Sequence, residues 1–500
     1  MTHETPATRA ATTGAADTAA NAPAQRSRLT GNLGTGSIAF MVIAAAAPLT
    51  VIGGNAPLAI GQGNGAGAPV GFLLASIVLL LFAVGFVAMT PFVKEAGAFF
   101  SYVTIGLGSR LGMGTAYVAL IAYTAIQAGI YGYMGWAVMD LVRHYGGPEI
   151  HWSVFAILAL IIVGVLGYRH IDLSSKVLGV ALALEMLVMM IVNVAVLVNG
   201  GPEGRSVESF DPHVFLTSGL GVAVLFALTG FIGFESTAIY RDEARDPSRT
   251  IPRATYLAVG IIGVFYTLSV WVLVVAAGPS NVTDVAQQTL FGTKNMMLDT
   301  AGDFAGSLTR SMMQILLITS LFACVLSFHN IVARYQFALA KIGSMPARLG
   351  RVHPKHHSPA FSSFVQSITA LVIVVIFVVI GLDPLVQVFG FMAGVATIGM
   401  VMMMLLTTAA VVVFFLRNPR LRKNVWTGTI VPIIAVFALG VSTWLVLSNF
   451  TMVTSGSVAV SVVLALIPPL ALIVGAIVNR KDGGRTVDIQ LDRVLEAEAG

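Results

Sequence analysis

Charge is the scarcest commodity in this 500-residue sequence. Asp, Glu, Lys and Arg make up 10% of it, and 56% is hydrophobic. Soluble domains carry roughly 25% charged residues, so a surface this poor in charge would not stay dissolved. That excludes a soluble enzyme and a soluble nucleic-acid binder. Cysteine is almost missing as well: Cys324 stands alone, which excludes a disulfide framework and a cysteine-built metal site. Neither H-E-x-x-H nor G-x-x-x-x-G-K-[ST] occurs, so the chain offers no zincin helix and no ATP-binding phosphate loop. What remains is a polytopic membrane protein.

Long charge-free windows locate the spans, because a helix needs about 20 apolar residues to cross the hydrocarbon core. No charged residue occurs from Leu29 through Val93, and Gly61-Gln62-Gly63-Asn64-Gly65-Ala66-Gly67-Ala68-Pro69 divides that window into two spans. Single spans follow near 111–139, 152–168, 177–199, 214–240, 254–278, 306–333, 361–381 and 385–416. The window 424–479 is double again, divided around Ser448 to Ser457. The expectation is an all-α protein of twelve transmembrane helices. Residues 1–30, rich in Ala and Thr without apolar periodicity, read as a disordered tail. A cleavable signal peptide is not expected, since the first apolar stretch begins too late and runs too long. Residues 480–500 read as a second charged tail.

An even number of spans puts both ends on one side, and the basic residues say which. Of the 28 Lys and Arg residues, all but Arg143, Arg205, Lys294 and Arg310 fall on the side of the termini. That asymmetry predicts cytoplasmic termini. Glu203, Glu208, Asp211, Asp284, Asp299 and Asp303 fall on the opposite side. The formal net charge of +5 is therefore a topology signal and not a nucleic-acid footprint.

Two carboxyls are left inside spans: Glu185, in Ala183-Leu184-Glu185-Met186, and Glu235, in Gly233-Phe234-Glu235-Ser236. A carboxylate at mid-bilayer costs several kcal/mol unless it is paired, hydrated or protonated. Such a group is suited to taking up and releasing a proton. The alternative is a neutral carboxyl that braces two helices. His329, late in the eighth span, is a third titratable candidate, with a satisfied structural histidine as its alternative. His353, His356 and His357 share a loop that lacks carboxylate or thiol ligands, so no metal site is expected there. Met400 to Met404 reads as packing.

Two spans contain material a continuous helix dislikes. The first reads Ala47-Pro48-Leu49-Thr50-Val51-Ile52-Gly53-Gly54-Asn55-Ala56-Pro57, and the sixth reads Ala227-Leu228-Thr229-Gly230-Phe231-Ile232-Gly233-Phe234-Glu235. Proline removes a backbone donor and glycine supports unwinding, although glycines also serve close helix packing. The two spans are five apart. They hold equivalent places if residues 31–200 and 201–417 are five-helix repeats of opposite orientation, followed by two further helices in 418–479. Broken helices at matching places in inverted halves point to a transporter binding site. Half-helix N-termini suit a carboxylate and unwound carbonyls suit an ammonium, so a zwitterion fits both.

The end of the sixth span and the loop after it carry a signature: Gly233-Phe234-Glu235-Ser236-Thr237-Ala238, then Glu243-Ala244-Arg245-Asp246-Pro247-Ser248-Arg249-Thr250-Ile251-Pro252-Arg253. This resembles the amino acid–polyamine–organocation permease superfamily. Ala96-Gly97-Ala98-Phe99-Phe100-Ser101-Tyr102 looks like that family's segment after the second helix. Arg334-Tyr335-Gln336-Phe337-Ala338-Leu339-Ala340 with Met345-Pro346, Val352-His353-Pro354 and Ser358-Pro359 looks like its loop after the eighth. The resemblance spans about residues 30–480.

It implies a LeuT-type fold, a five-plus-five inverted repeat with substrate between broken helices 1 and 6. By position, Thr50, Val51, Ile52, Gly53 and Gly54 would present backbone to a carboxylate. Phe226, Ala227, Leu228, Thr229, Gly230 and Phe231 would supply carbonyls and a lid. Tyr123, Gln127 and Tyr131, four apart on one face of the third helix, are side-chain candidates, with helix–helix hydrogen bonding as the alternative. The chain departs from the family in the first helix, where Thr50-Val51-Ile52-Gly53-Gly54 stands in place of a G-S-G or G-A-G tripeptide. Thr229 stands where some relatives have a gating Trp. Glu185 falls at or near a fifth-helix lysine that relatives use at a sodium-like position, so it is a proton carrier or a cation ligand.

No Asp lies inside a span, since Asp140, Asp172 and Asp383 stand at ends; this argues against an intramembrane aspartyl protease. No charge ring or symmetric carbonyl filter suggests a channel. The expected function is secondary active transport of an amino acid, with a neutral one favoured by the shortage of acids. A polyamine or other organic cation is the alternative cargo, and a membrane-embedded sensor the alternative class. Expected partners are the lipid bilayer, a small amino acid or amine and a proton, with no cofactor and no nucleic acid.

Overall fold

A computed structural model describes residues 33–93, 98–169, 175–235, 244–353, 358–422 and 424–478. The described residues form helices and no named strand, only the isolated bridges Leu33–Ala244 and Gly201–Gly204. In hydrocarbon every backbone N–H and C=O must be satisfied within the segment, which leaves the helix as the form for such sequences. Nine stretches of the described residues are long and apolar enough to cross a membrane. Two shorter apolar helices, Trp152–Tyr168 and Leu220–Thr229, accompany them.

The chain opens with α1 (Thr35–Ala45). Four end-to-end helical segments, Pro48–Thr50, Val51–Asn55, Ala56–Ala59 and Ile60–Asn64, together make α2. Then come α3 (Ala68–Met89), α4 (Ala98–Leu107), α5 (Ser109–His144), α6 (Trp152–Tyr168) and α7 (Ser175–Asn199). The short α8 (Leu220–Thr229) precedes α9 (Pro247–Ala277). Two helices unforeseen in the sequence, α10 (Val282–Leu290) and α11 (Met296–Ala305), fill the stretch before α12 (Ser307–Lys341). The chain closes with α13 (Ala360–Ile380), α14 (Gly390–Arg417), α15 (Val431–Ser448) and α16 (Val458–Val478).

Most expected spans coincide with these helices. The sixth, expected near 214–240 with an interruption at Gly230 to Glu235, is the ten-residue α8 followed by turns through Glu235, and residues 236–240 lie outside the described residues. Both expected tails lie outside the described residues, as do Ala96 and Gly97, Ser236 to Glu243, and Pro354 to His357.

In α5, the least apolar of the nine stretches, 72% of the span window is buried, whereas in α16 only 17% is. Composition does not rank the others: Thr35–Phe92 has the highest mean hydropathy and is 61% buried. Small and polar residues let helices pack closely inside a bundle. α5 meets the interrupted segments through Tyr123 and Tyr133, α12 packs against Pro48–Thr50, and α14 reaches Thr229 through Thr397.

Candidate functional site

The first interruption lies between α1 and α2. Ala47 adopts φ 47° and ψ 71°, a left-handed conformation that a non-glycine residue rarely takes. Pro48 is the cause. It has no N–H to donate to the preceding turn, and it pushes the residue before it out of helical geometry. The break therefore lies at Ala46–Ala47, upstream of the Thr50 to Gly53 stretch expected to unwind. Thr50, Val51, Ile52, Gly53 and Gly54 are helical and buried, the last four within the π-helical turn Val51–Asn55. The glycine pair serves close approach. A Cβ on Gly53 would stand 2.5 Å from Tyr133 Oη, and one on Gly54 would stand 2.7 Å from Tyr133 Cε1.

The second interruption follows α8. Gly230 N–H donates to Ala227 O (3.0 Å), Phe231 to Leu228 O (3.1 Å) and Ile232 to Thr229 O (3.1 Å), so the helix tightens into turns. Gly233, at φ 108°, then redirects the chain in a way that favours glycine. The carbonyls of Ala227 and Leu228, expected to be open to an amine, are taken within these turns. Phe226 O accepts from Asn55 Nδ2 of α2 at 2.8 Å. Thr229 Oγ1 donates to Leu225 O and pairs with Thr397 Oγ1 of α14.

The two interruptions meet at one hydroxyl. Tyr266 Oη of α9 lies 3.2 Å from Ala46 O and 3.2 Å from Gly230 O, one carbonyl from each break. Phe231 packs edge-on against the same ring at 5.5 Å. Gly230 faces Val51 so closely that a Cβ would be 2.8 Å from Val51 Cγ1. Nothing in the sequence singled out Tyr266 except that it is a polar aromatic inside an apolar span.

Glu185 of α7 sits beside the first break. Its carboxyl accepts from the Leu49 backbone N–H, the first donor after Pro48, and Oε2 accepts from Ser320 Oγ of α12 at 2.9 Å. An acid at the free N-terminus of a half-helix is favoured by the exposed N–H groups and their dipoles. The same carboxyl lines a cavity of about 310 Å³, bounded by Ala44, Met134, Leu182, Ser320 and Phe322 among others. That volume is at the lower end for small-ligand sites.

Glu235 is set differently. Tyr123 Oη of α5 donates to Oε1, and the Gly233 N–H donates to Oε2 at 2.9 Å. Tyr123 is flanked by the Phe328 ring at 5.9 Å and the Tyr335 ring at 5.7 Å. Both of its oxygens therefore have donors, inside an aromatic surround.

The other third-helix candidates face away from the breaks. Gln336 Nε2 donates to Gln366 Oε1 (3.0 Å), and Gln366 Nε2 donates to Gln127 Oε1 (2.7 Å). Gln127 Nε2 then faces Tyr131 Oη (3.4 Å) and His329 Nδ1 (3.3 Å). His329 Nε2 lies 2.8 Å from Ser363 Oγ. Both ring nitrogens of His329 are thereby engaged. The helix–helix bonding alternative thus describes Gln127 and Tyr131, and His329 is a satisfied member of the same chain. By contrast, Thr50 Oγ1, Tyr133 Oη and both ends of the Gln314 amide are buried with no hydrogen-bond partner among the described residues. Buried polar atoms without partners mark places where a water or ligand belongs. Among the described residues no group of three potential metal ligands occurs.

The chain is similar to several known transporters. An uncharacterized transporter of Rhizobium meliloti is 22% identical over 276 residues, covering 54% of this chain and 57% of the relative. An uncharacterized transporter of Mycobacterium tuberculosis is 23% identical over 315 residues, 57% of this chain and 62% of the relative. The branched-chain amino acid permease BcaP of Bacillus subtilis is 23% identical over 311 residues, 59% of this chain and 64% of the relative. Each match therefore spans less than two thirds of the relative's length. A family model for amino acid permeases matches residues 33–476, nearly all of the described chain. With its apolar helices, this is a multi-pass membrane protein, and it belongs to the amino acid permease family.

Proposed function

We propose that the chain is a secondary active transporter that moves a neutral, apolar amino acid across the cytoplasmic membrane by alternating access, with Glu185 as the proton-coupling group. The observation that carries this reading is the meeting of two helix breaks at Tyr266, with a buried carboxyl capping one of them. Helices interrupted at matching places supply backbone groups that a zwitterion can use; here those groups are held by Tyr266 and Glu185, which a substrate would have to replace. The twelve crossings, the five-plus-five inverted repeat and cytoplasmic termini are parts of the same proposal, supported by the order of the helices and the placement of the basic residues. Thr50, Tyr133 and Gln314 join the proposed substrate surface because their polar atoms await partners.

A neutral cargo fits the supply of charge. Glu235 is satisfied by Tyr123 and Gly233, which leaves Glu185 as the acid free to change partner. The branched-chain specificity in the name of the Bacillus subtilis relative makes isoleucine, leucine and valine the first substrates to try. Uptake of labelled isoleucine into proteoliposomes, with and without an inward proton gradient, tests the proposal. Gradient-stimulated accumulation competed by leucine and valine is expected. Binding without accumulation would make the protein a sensor, and competition by putrescine instead would make it an amine permease.

A further inference from the structure

A second cavity lies far from both breaks. It measures about 180 Å³ and sits where the end of α3, the start of α9, the end of α14 and the segment before α15 come together. Its floor is apolar, built by Val87, Phe92, Phe415 and Leu421, and its rim carries Arg422 and Asn424. All four segments belong to the face that the basic residues mark as cytoplasmic.

Arg422 is the feature that gives this cavity a chemistry. It is half-buried, it spends one N–H on Thr429 Oγ1 at 3.0 Å, and it has no carboxylate partner among the described residues. Most of the fork of donors is left for an acceptor that the described residues do not supply. A planar guanidinium with unspent N–H groups matches the oxygens of a phosphate, which can take two parallel hydrogen bonds. The surroundings add positive charge and amphipathic character. Arg417 and Arg420 are exposed nearby, and Trp426 is 61% exposed next to the rim. Exposed Trp beside basic residues is the composition of a headgroup layer, and basic pockets between helices on the cytoplasmic side suit anionic lipid headgroups.

We infer that this cavity binds the phosphodiester of an anionic phospholipid, with Arg422 and Asn424 on the phosphate and the upper acyl chain lying over Val87 and Phe92. An occupant of this kind would join α3, α9, α14 and the α14–α15 link at one point without touching the proposed transport site. A free soluble phosphate would satisfy Arg422 but would leave the apolar floor unused.

Native mass spectrometry of the full chain, released from detergent with phosphatidylglycerol or phosphatidylcholine of identical acyl chains, tests the site. Wild type is expected to retain phosphatidylglycerol preferentially. Arg422→Gln is expected to lower that preference at least roughly tenfold, the scale of one charge-assisted contact, with Arg422→Lys between the two. Val87→Trp, which fills the floor and leaves the charge, is expected to weaken retention as well. Equal preference in wild type and Arg422→Gln would overturn the inference. So would displacement of phosphatidylglycerol by millimolar inorganic phosphate, which would make the site one for soluble anions. Thermal unfolding of lipid-free protein, unchanged in Arg422→Lys, separates a lost site from a lost fold.

Discussion

Glu185 and Glu235 are both carboxyls buried within the helical bundle, and the molecule treats them in opposite ways. Glu235 is enclosed: Tyr123 and the Gly233 N–H occupy its two oxygens, and aromatic rings surround the tyrosine. Glu185 is held by Ser320 and the Leu49 N–H, yet it borders a cavity of about 310 Å³ at a helix break. Glu235, with a donor on each oxygen, is placed as a brace would be. Glu185, on α7 with its carboxyl beside a cavity and at the start of α2, has space in which to exchange partners. Burial alone does not separate the two, since both are buried.

The largest effect that would separate them is on coupling. Glu185→Gln keeps the shape and removes the titrating group, so proton-driven uptake should fall roughly 100-fold, the scale on which a positioned proton-transfer group acts. Substrate exchange between equally buffered compartments should persist. If gradient-driven uptake survives Glu185→Gln and fails in Glu235→Gln, the assignment of roles is reversed.

Tyr266→Phe should come next. It leaves Ala46 O and Gly230 O without their shared donor, and an unsatisfied buried group costs about 1–3 kcal/mol. Faster amide hydrogen exchange in residues 46–51 and 228–235 together is the expected signature. Exchange that speeds up at one break only would show that the hydroxyl does not join them.

For Glu235 the expected readout is stability. Tyr123→Phe strips one carboxyl oxygen of its donor and should destabilise the protein by about 1–3 kcal/mol, seen as a lowered thermal midpoint. The pH profile of uptake should keep its shape. A shifted profile would make Glu235 a second coupling group. The smallest effect belongs to His329→Gln, which should leave the pH dependence of uptake unchanged and lower activity less than tenfold. With one ring nitrogen facing Gln127 and the other Ser363, His329 is placed as a structural group, so loss of an ionisation step in this variant would refute that role.

Both carboxyls were legible in the sequence because charge is so rare there that any acid inside a span stands out. The interruptions were legible in kind and displaced in place. Pro48 and the glycines announced a broken first helix, but glycine also permits close packing, and Gly53 and Gly54 are used for contact with Tyr133. The unwinding fell on Ala47, whose identity says nothing about it. Gly233 stands where the turn needs a positive φ, whereas Gly230 serves close approach to Val51. Tyr266 and Ser320 were out of reach: a hydroxyl in an apolar span is unremarkable until its partner is known, and Tyr266 pairs with a carbonyl 220 positions away. The helices α10 and α11 were missed because they lie outside the long apolar windows used to find spans.

The amide chain from Gln336 through Gln366 and Gln127 to His329 and Ser363 has one further consequence. Its two amide–amide links donate in the same direction, so Gln366 cannot flip without forcing its neighbours to flip too. α5, α12 and α13 are thereby keyed together like the wards of a lock, and sliding one past another would break several buried bonds at once. The chain does not include α1, α2 or α8. Those three helices are fastened by other bonds, from Tyr266 to Ala46 O and Gly230 O, from Asn55 to Phe226 O and between Thr229 and Thr397, so the trio and the interrupted segments are separately tied.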